Sequence, residues 1–309
     1  MKNNGTSIRS ILDGQRFSGI YYLQSSMGSI SRMGKDYWKL GLSDHSGKID
    51  AYFWGTPLEP PKTDAVLWIS GQGRILGRQV ICDVISILEL SSWDGCPLLL
   101  APSDIPLPDE SALVSSLLDD IGNAELRRLV FQVISDRQFM IATLHAPGSL
   151  NHHHAYPGGL IRHTRETMEI VLAQSGNLQP IERDLLLVAA FLHDLGKAYE
   201  YNQYRRLTDR GTLLGHEVTL LEMLAPIMNS IWEINHPTRI ALLHFLVAKP
   251  APQWTGIRHP RSALVNILRF ADKLSGEKDL EQRSYSGGQI GRILRSKVHK
   301  QTTEIALSC

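Results

Sequence analysis

FLHDLGK, residues 191–197, closes the apolar run IERDLLLVAAFLHDLG (181–196), which has the length and residue types of a buried helix. Within it His193 and Asp194 adjoin, and Gly196 is the expected helix terminator. An ionised carboxylate buried without compensation costs so much that such groups are normally paired or bound to a metal. The pair therefore asks for a cation.

Candidate partners recur outside this helix. His163 lies 30 residues before His193, His216 lies 22 after Asp194, His244 lies 28 after His216, and Asp272 lies 28 after His244. Each interval is one helix plus a turn, so side chains from successive helices of a bundle can converge on one point. Taken singly, each histidine reads more simply as a hydrogen-bonded core residue; the set, with its adjoining His-Asp, reads as a metal site. Mixed imidazole and carboxylate donors suit Mn, Fe, Zn or Mg, and composition alone does not choose.

The helical period continues through ELRRLVFQVISDRQFMIATL, GLIRHTRETMEIVLAQ, HEVTLLEMLAPIMNSIW, RIALLHFLVA and SALVNILRFADKLSG. Residues 15–100 differ. QRFSGIYYLQ, KDYWKLGLSD, GKIDAYFWG, AVLWISGQGRI and RQVICDVISILEL are short, rich in aromatic and β-branched residues, and separated by turn residues, with a hairpin turn at DHSG (44–47). They predict a small barrel or sandwich. APSDIPLPDE (101–110), with three prolines and no periodicity, reads as an extended linker. The fold class is therefore α+β in two domains, an N-terminal β-barrel followed by an all-α bundle.

Hydrophobic residues make up 43% of the 309 and charged residues 20%, ordinary for a chain that buries a real core. Lys plus Arg (32) balances Asp plus Glu (31), so nothing in the global charge advertises nucleic acid or a membrane surface. The N-terminus lacks the apolar stretch of a signal peptide and no run is long enough to span a bilayer, so a cytoplasmic location is expected. Cys82, Cys96 and Cys309, few and far apart, fit neither a disulfide framework nor a thiolate zinc site. Of twelve histidines, ten lie between residues 145 and 259. One local basic patch runs from Gln282 to Lys300, with Arg283, Arg292, Arg295, Lys297 and Lys300; it reads equally as a solvated end or a phosphate contact.

GGLIRHT, FLHDLGK and FADKLSG, which carry His163, His193 with Asp194, and Asp272, resemble the H…HD…D signature of the HD phosphohydrolase superfamily. NHHHAYPGGLIRHT (151–164), followed by LLGHE and preceded by a β-rich part, is similar to the YhaM family of 3′ to 5′ exoribonucleases, over residues 12–280. The resemblance implies an OB-fold in residues 1–100, the linker at 101–110, an HD domain at 111–281 and the basic tail at 282–309. It implies that His163, His193, Asp194 and Asp272 ligate a metal, with His216 of LLGHE in a second-metal set. It implies a metal-dependent exonuclease, with single-stranded RNA as substrate and single-stranded DNA as second choice. The expected cofactor is one or two divalent ions, Mn2+ first, with Mg2+, Fe2+, Zn2+ or Co2+ as alternatives. One stretch departs: where the family carries Ser-His-His-Gly after a helix histidine, His244 is followed by Ala248, Lys249, Pro250 and Ala251. The second ion then depends on His244 or water, and a one-metal or weakened second site is expected. Two other readings stay open: an HD phosphohydrolase of nucleotides or cyclic dinucleotides, and a single-strand-binding protein whose metal site has decayed.

In catalysis Asp194 is expected to organise metal and water, with His216 beside it. Lys197, four residues beyond His193, would meet a phosphate oxygen if the helix continues; otherwise it is a cation favoured at a helix C-terminus. His152, His153 and His154 sit on a loop joined by Pro157, Gly158 and Gly159 to the helix of His163, and one or two of them are expected to face substrate. In the barrel, alternation puts Trp38, Leu40 and Leu42, with Ile49, Ala51 and Phe53, inside. Tyr37, Lys39, Tyr52 and Trp54 then point outward and, with Arg74 and Arg78, are candidates for stacking bases and gripping a single strand. Packing against the helical part is the other reading of these rings.

Overall fold

Each of the five alternating N-terminal segments is a strand in the structure, a computed structural model that describes residues 5–44, 46–55, 60–63, 65–90, 104–202, 204–250 and 258–284. Strands β1 (Arg16–Ile30), β2 (Asp36–Asp44), β3 (Gly47–Trp54), β4 (Val66–Leu76) and β5 (Gln79–Glu89) close into a barrel in the order β1-β2-β3-β5-β4. Only β3 and β5 pair in parallel. This is the OB-like barrel the sequence predicts. Closure depends on β1, which pairs with β4 over Arg16–Tyr22 and with β2 over Tyr22–Ile30, its register shifting between Leu23 and Ser25. Such an irregularity bends a strand enough to serve two neighbours.

The run Ile20-Tyr21-Tyr22-Leu23 is buried on both faces for a specific reason. Tyr21 and Leu23 point into the barrel with Leu40, Leu42, Ala51, Leu67 and Ile69. Ile20 and Tyr22, joined by Val66, enter the core of the helical part instead. The Arg137 guanidinium lies 5.6 Å from the centre of the Tyr22 ring and extends the same contact.

Among the described residues ten helices follow: α1 (Pro108–Leu118), α2 (Ala124–Ser135), α3 (Arg137–His145), α4 (Gly159–Ala173), α5 (Pro180–Leu192), α6 (Lys197–Glu200), α7 (Asp209–Leu213), α8 (Gly215–Ile231), α9 (Pro237–Val247) and α10 (Ala263–Ser284). The short helices α6 and α7 match no segment read as helix from the sequence, and two further differences have a local cause. α1 starts at Pro108, inside the stretch read as linker, because proline is well placed in a first helical turn. ELRRLVFQVISDRQFMIATL is two helices, because the Asp136 carboxylate accepts the Phe139 N–H (3.0 Å) and caps α3. Residues 101–103, Cys96, Cys309 and most of the basic tail, including Arg292, Arg295, Lys297 and Lys300, lie outside the described residues.

At the centre, α5 is buried continuously from Asp184 to Leu192 and packs on α4, α9 and α10. Its start is fixed by Pro180 in the first turn and a capping box in which the Gln179 N–H donates to Glu182 (3.0 Å). A rigid central helix thus delivers His193 and Asp194 at its C-terminal end. Among the described residues, no helix is long and apolar enough to cross a membrane.

Candidate metal centre

Four side chains from three helices meet at the end of α5. His163 on α4, His193 and Asp194 just past α5, and Asp272 on α10 each offer a ligand atom to one small cluster. His163 Nε2 lies 3.1 Å from Asp272 Oδ1, 3.4 Å from Asp194 Oδ2 and 3.3 Å from His193 Nε2. His193 Nε2 is 3.6 Å from Asp194 and 3.8 Å from Asp272. The structure therefore brings together four of the residues picked out by their spacing in the sequence, His163, His193, Asp194 and Asp272.

The donor set fits a cation. His193 Nδ1 lies 2.9 Å from the Ala190 carbonyl, which can only accept, so in neutral His193 the proton sits on Nδ1 and Nε2 is bare. That nitrogen faces His163 Nε2 and two carboxylates. Such a convergence is stable only around positive charge. The Lys197 ammonium reaches only one side of it: its Nζ donates to Asp194 Oδ2 (2.6 Å) and to the Gly148 carbonyl (2.8 Å). Burial by itself would raise the Asp194 carboxyl, but Lys197, His193 and His163 hold it well below the usual carboxylate range. Burial lowers His163, although Asp272 and Asp194 oppose that. For Asp272, burial is outweighed by the closeness of His163 and by the nearby His193.

His216 stands across the same carboxylate, its Nε2 3.4 Å from Asp194 Oδ1 and its Nδ1 3.3 Å from Glu200. Burial favours its neutral form, but Glu200 and Asp194 raise its pKa overall. Gly196 makes this approach possible: a Cβ there would lie 2.0 Å from the His216 carbonyl oxygen. Its backbone is right-handed helical (φ −59°), so it does not stop the helix as a left-handed cap. The expected role of Gly196 is therefore corrected: it is small because the start of α8 presses against it.

The histidine triplet divides. His152 is exposed and His153 half-buried, its ring centre 5.1 Å from that of His163. Burial, with help from His163 and Lys197, pushes His153 down to about 4. His154 turns inward with positive φ (49°) and is 1% exposed. Its backbone N–H donates to Asp279 (2.7 Å), and its ring reaches Tyr156 (3.2 Å) and Ser275 (3.3 Å). Gly159 permits this tight turn, since a Cβ there would lie 1.9 Å from the His154 carbonyl oxygen.

An open cavity of about 760 Å³ gives access to the cluster, lined by His193, Asp194, His216, His244 and Asp272. Its wall also carries Lys249, Arg258, Arg269 and Lys273. His244 Nε2 lies 3.1 Å from the Arg261 backbone N–H, which donates to it. Where the family motif would supply two histidines, Lys249 pairs with Glu217 (2.8 Å) and the Ala248 carbonyl accepts from Arg269 (3.1 Å).

On the barrel, the register sets Tyr37 opposite Trp54 and Lys39 opposite Tyr52. The three rings pack on one another, with centres 4.7 Å (Tyr37–Trp54), 5.9 Å (Tyr37–Tyr52) and 6.4 Å (Tyr52–Trp54) apart. Lys39 pairs with Asp50 (2.9 Å) and Arg74 with Asp83, while Arg78 is exposed. Sequence reasoning did not find Ser275, Glu166, Glu200 or Glu217. Glu166 follows His163 by three residues and Ser275 follows Asp272 by three, the same-face spacing of a helix, which was the available signal.

Residues 160–277, which span every one of these histidines and aspartates from His163 to Asp272, match the HD domain, so the chain carries an HD domain behind an OB-like barrel. Beyond that class, the chain is similar to proteins named 3′-5′ exoribonuclease YhaM. The one from Halalkalibacterium halodurans is 25% identical over 91% of this chain and 89% of the relative. Those from Shouchella clausii (24%, covering 91% and 89%) and Bacillus subtilis (22%, covering 88% and 88%) align over nearly the same span. The similarity thus covers barrel and helical part together, as the motifs implied.

Proposed function

We propose that the chain is a metal-dependent 3′ to 5′ exonuclease that hydrolyses phosphodiester bonds of single-stranded RNA, with single-stranded DNA as a second substrate and the barrel guiding the strand to the His–Asp centre. The observation that carries this reading is the convergence of His163, His193, Asp194 and Asp272, the last three lining an open cavity whose wall also carries Lys249, Arg258, Arg269 and Lys273. The names of the relatives support RNA and the polarity.

His163, His193, Asp194 and Asp272 would hold the first ion, and Mn2+ is our first choice among hard and borderline divalent ions. A divalent ion there would supply an acidified water and Lewis-acid polarisation of the phosphoryl oxygen. Lys197, turned inward, positions the Asp194 carboxylate by a hydrogen bond instead of meeting phosphate itself. His216, on the other oxygen of Asp194, is placed to exchange a proton with the reacting groups. His244 also lines the cavity. Lys249 and Arg269, on the wall, suit the charge of the phosphate chain. His152 and His153 form the substrate-side rim of the loop, and His154 anchors it. The Lys249 ammonium, standing where a histidine pair would help hold a second ion, favours one ion per chain.

The test is incubation of end-labelled single-stranded RNA and DNA with protein and each of Mn2+, Mg2+, Fe2+, Zn2+ and Co2+. Stepwise shortening from the 3′ end is expected, fastest on RNA. No shortening with any ion overturns the proposal, and turnover of free nucleotides or cyclic dinucleotides in its place moves the substrate class. Elemental analysis should return one metal equivalent per chain, lost in Asp272→Ala.

A further inference from the structure

Next to the centre, and not lining the cavity, lies a second set of polar groups with no part in the chemistry proposed above. Ser275 on α10 is fully buried, Glu166 on α4 is 8% exposed and Asp279 on α10 is 7% exposed. Buried charges of this kind are costly unless they are satisfied. Here each has a partner.

The Ser275 hydroxyl has three neighbours. It lies 2.9 Å from Glu166 Oε2, 3.0 Å from His163 Nδ1 and 3.3 Å from His154 Nε2. A hydroxyl has one hydrogen to donate and two lone pairs. A carboxylate can only accept when ionised. Hydrogen bonds from His154 and Ser275 overcome burial and hold Glu166 down to about 2, so it is ionised near neutral pH. The single Ser275 hydrogen therefore goes to Glu166. What remains on the oxygen is acceptor capacity, and His163 must fill part of it with an N–H on Nδ1. Neutral His163 is left with a bare Nε2, the atom that faces His193, Asp194 and Asp272.

We propose that Glu166 and Ser275 are positioning residues: together they fix the tautomer of His163, so that the nitrogen aimed at the metal centre is the unprotonated one. His193 obtains the same result more simply from the Ala190 carbonyl. His163 Nδ1 has the Ser275 hydroxyl as its partner, so at this ring a carbonyl is replaced by a carboxylate acting through a hydroxyl. A hydroxyl alone would not do, because it rotates and can donate as readily as accept. The carboxylate gives it a direction. Outer-shell partners of this kind raise the affinity of a metal-binding histidine by about 10- to 100-fold.

The inference rests on the metal-centre reading, but its first test does not. In metal-free protein labelled with 15N-histidine, long-range proton–nitrogen spectra should show neutral His163 as the Nδ1–H form. The assignment is made by comparison with His163→Gln. An Nε2–H form in the wild type overturns the proposal. In Ser275→Ala and in the isosteric Glu166→Gln, His163 should become a mixture of both forms. Titration with Mn2+ by calorimetry should then show affinity about 10- to 100-fold weaker than wild type. Affinity within twofold of wild type in a folded Glu166→Gln protein also overturns it. If wild-type protein binds no Mn2+, the metal reading fails while the tautomer result stands on its own. Glu166→Gln also guards against Ser275→Ala failing to fold, since it keeps the volume of the side chain.

Discussion

The barrel's outer face and the His–Asp centre gather similar groups, rings and charges, under opposite conditions. On the barrel, Tyr37, Tyr52 and Trp54 stack within reach of water, and the Lys39–Asp50 and Arg74–Asp83 pairs are exposed, so each is worth little alone. In the centre, His163 and Asp194 are shut away, and the charge of each group is set by its neighbours. Loss of one exposed group leaves the others nearly as they were, whereas loss of one buried group disturbs all those bonded to it. The two regions should therefore respond differently to substitution.

The largest break is expected from Asp194→Asn. This carboxylate meets Lys197, His163 and His193 through one oxygen and His216 through the other. Asparagine keeps the volume and removes the charge. Mn2+ affinity should fall by more than about 100-fold, beyond what outer-shell changes cause, and cleavage should disappear. The buried Lys197 ammonium loses its partner, so the melting temperature should fall too. An unchanged Mn2+ titration would remove Asp194 from the site.

Acid should separate the regions next. Glu166, with a folded-state value of about 2 against an ordinary 4.5, is a carboxyl depressed by folding. Its contribution to stability is complete above pH 4.5 and is lost as pH falls from there toward 2. The whole loss is on the order of 3 kcal/mol. Denaturant unfolding at pH 5 and pH 3 should show a shallower decline in Glu166→Gln than in wild type. Equal slopes would mean that Glu166 is not held ionised by its hydrogen bonds.

Gly196→Ala tests the packing that joins α8 to the centre. Because the obstructing atom is a backbone oxygen, relief requires α8 to move, and the cost should reach the upper part of the range of about 1–3 kcal/mol for overpacking. His216 should move away from Asp194, so cleavage falls more than stability alone explains. A variant as stable and as active as wild type would refute this account of the glycine.

These residues also mark what the sequence made legible. His163, His193, Asp194 and Asp272 could be read because His-Asp on an apolar helix is expensive, and expense points to function. The barrel could be read because period-two alternation leaves few other folds. Gly196 was misread, since a glycine after a helix looks the same whether it ends the helix or admits another backbone. Glu166 and Ser275 are common helix residues whose meaning appears only when α4 and α10 are laid side by side. His154 gave no sign of its inward turn because its positive φ is imposed by the contacts of Gly159 and Asp279.

The smallest effect is expected on the barrel, from Trp54→Ala, and its smallness is the point. A base stacked on an aromatic side chain is worth about 1–3 kcal/mol. Trp54 is one ring of three, and Tyr37 and Tyr52 remain to present a π-face, so the loss should sit near 1 kcal/mol, a fall of about fivefold in affinity for single-stranded RNA. That loss is felt equally by bound substrate and transition state, so KM should rise while kcat and Mn2+ affinity hold. Fluorescence anisotropy with a labelled strand reads the first and single-turnover cleavage the second. A fall in kcat would mean that the barrel face takes part in the reaction itself, and the separation between an additive guide and an interdependent centre would have to be abandoned.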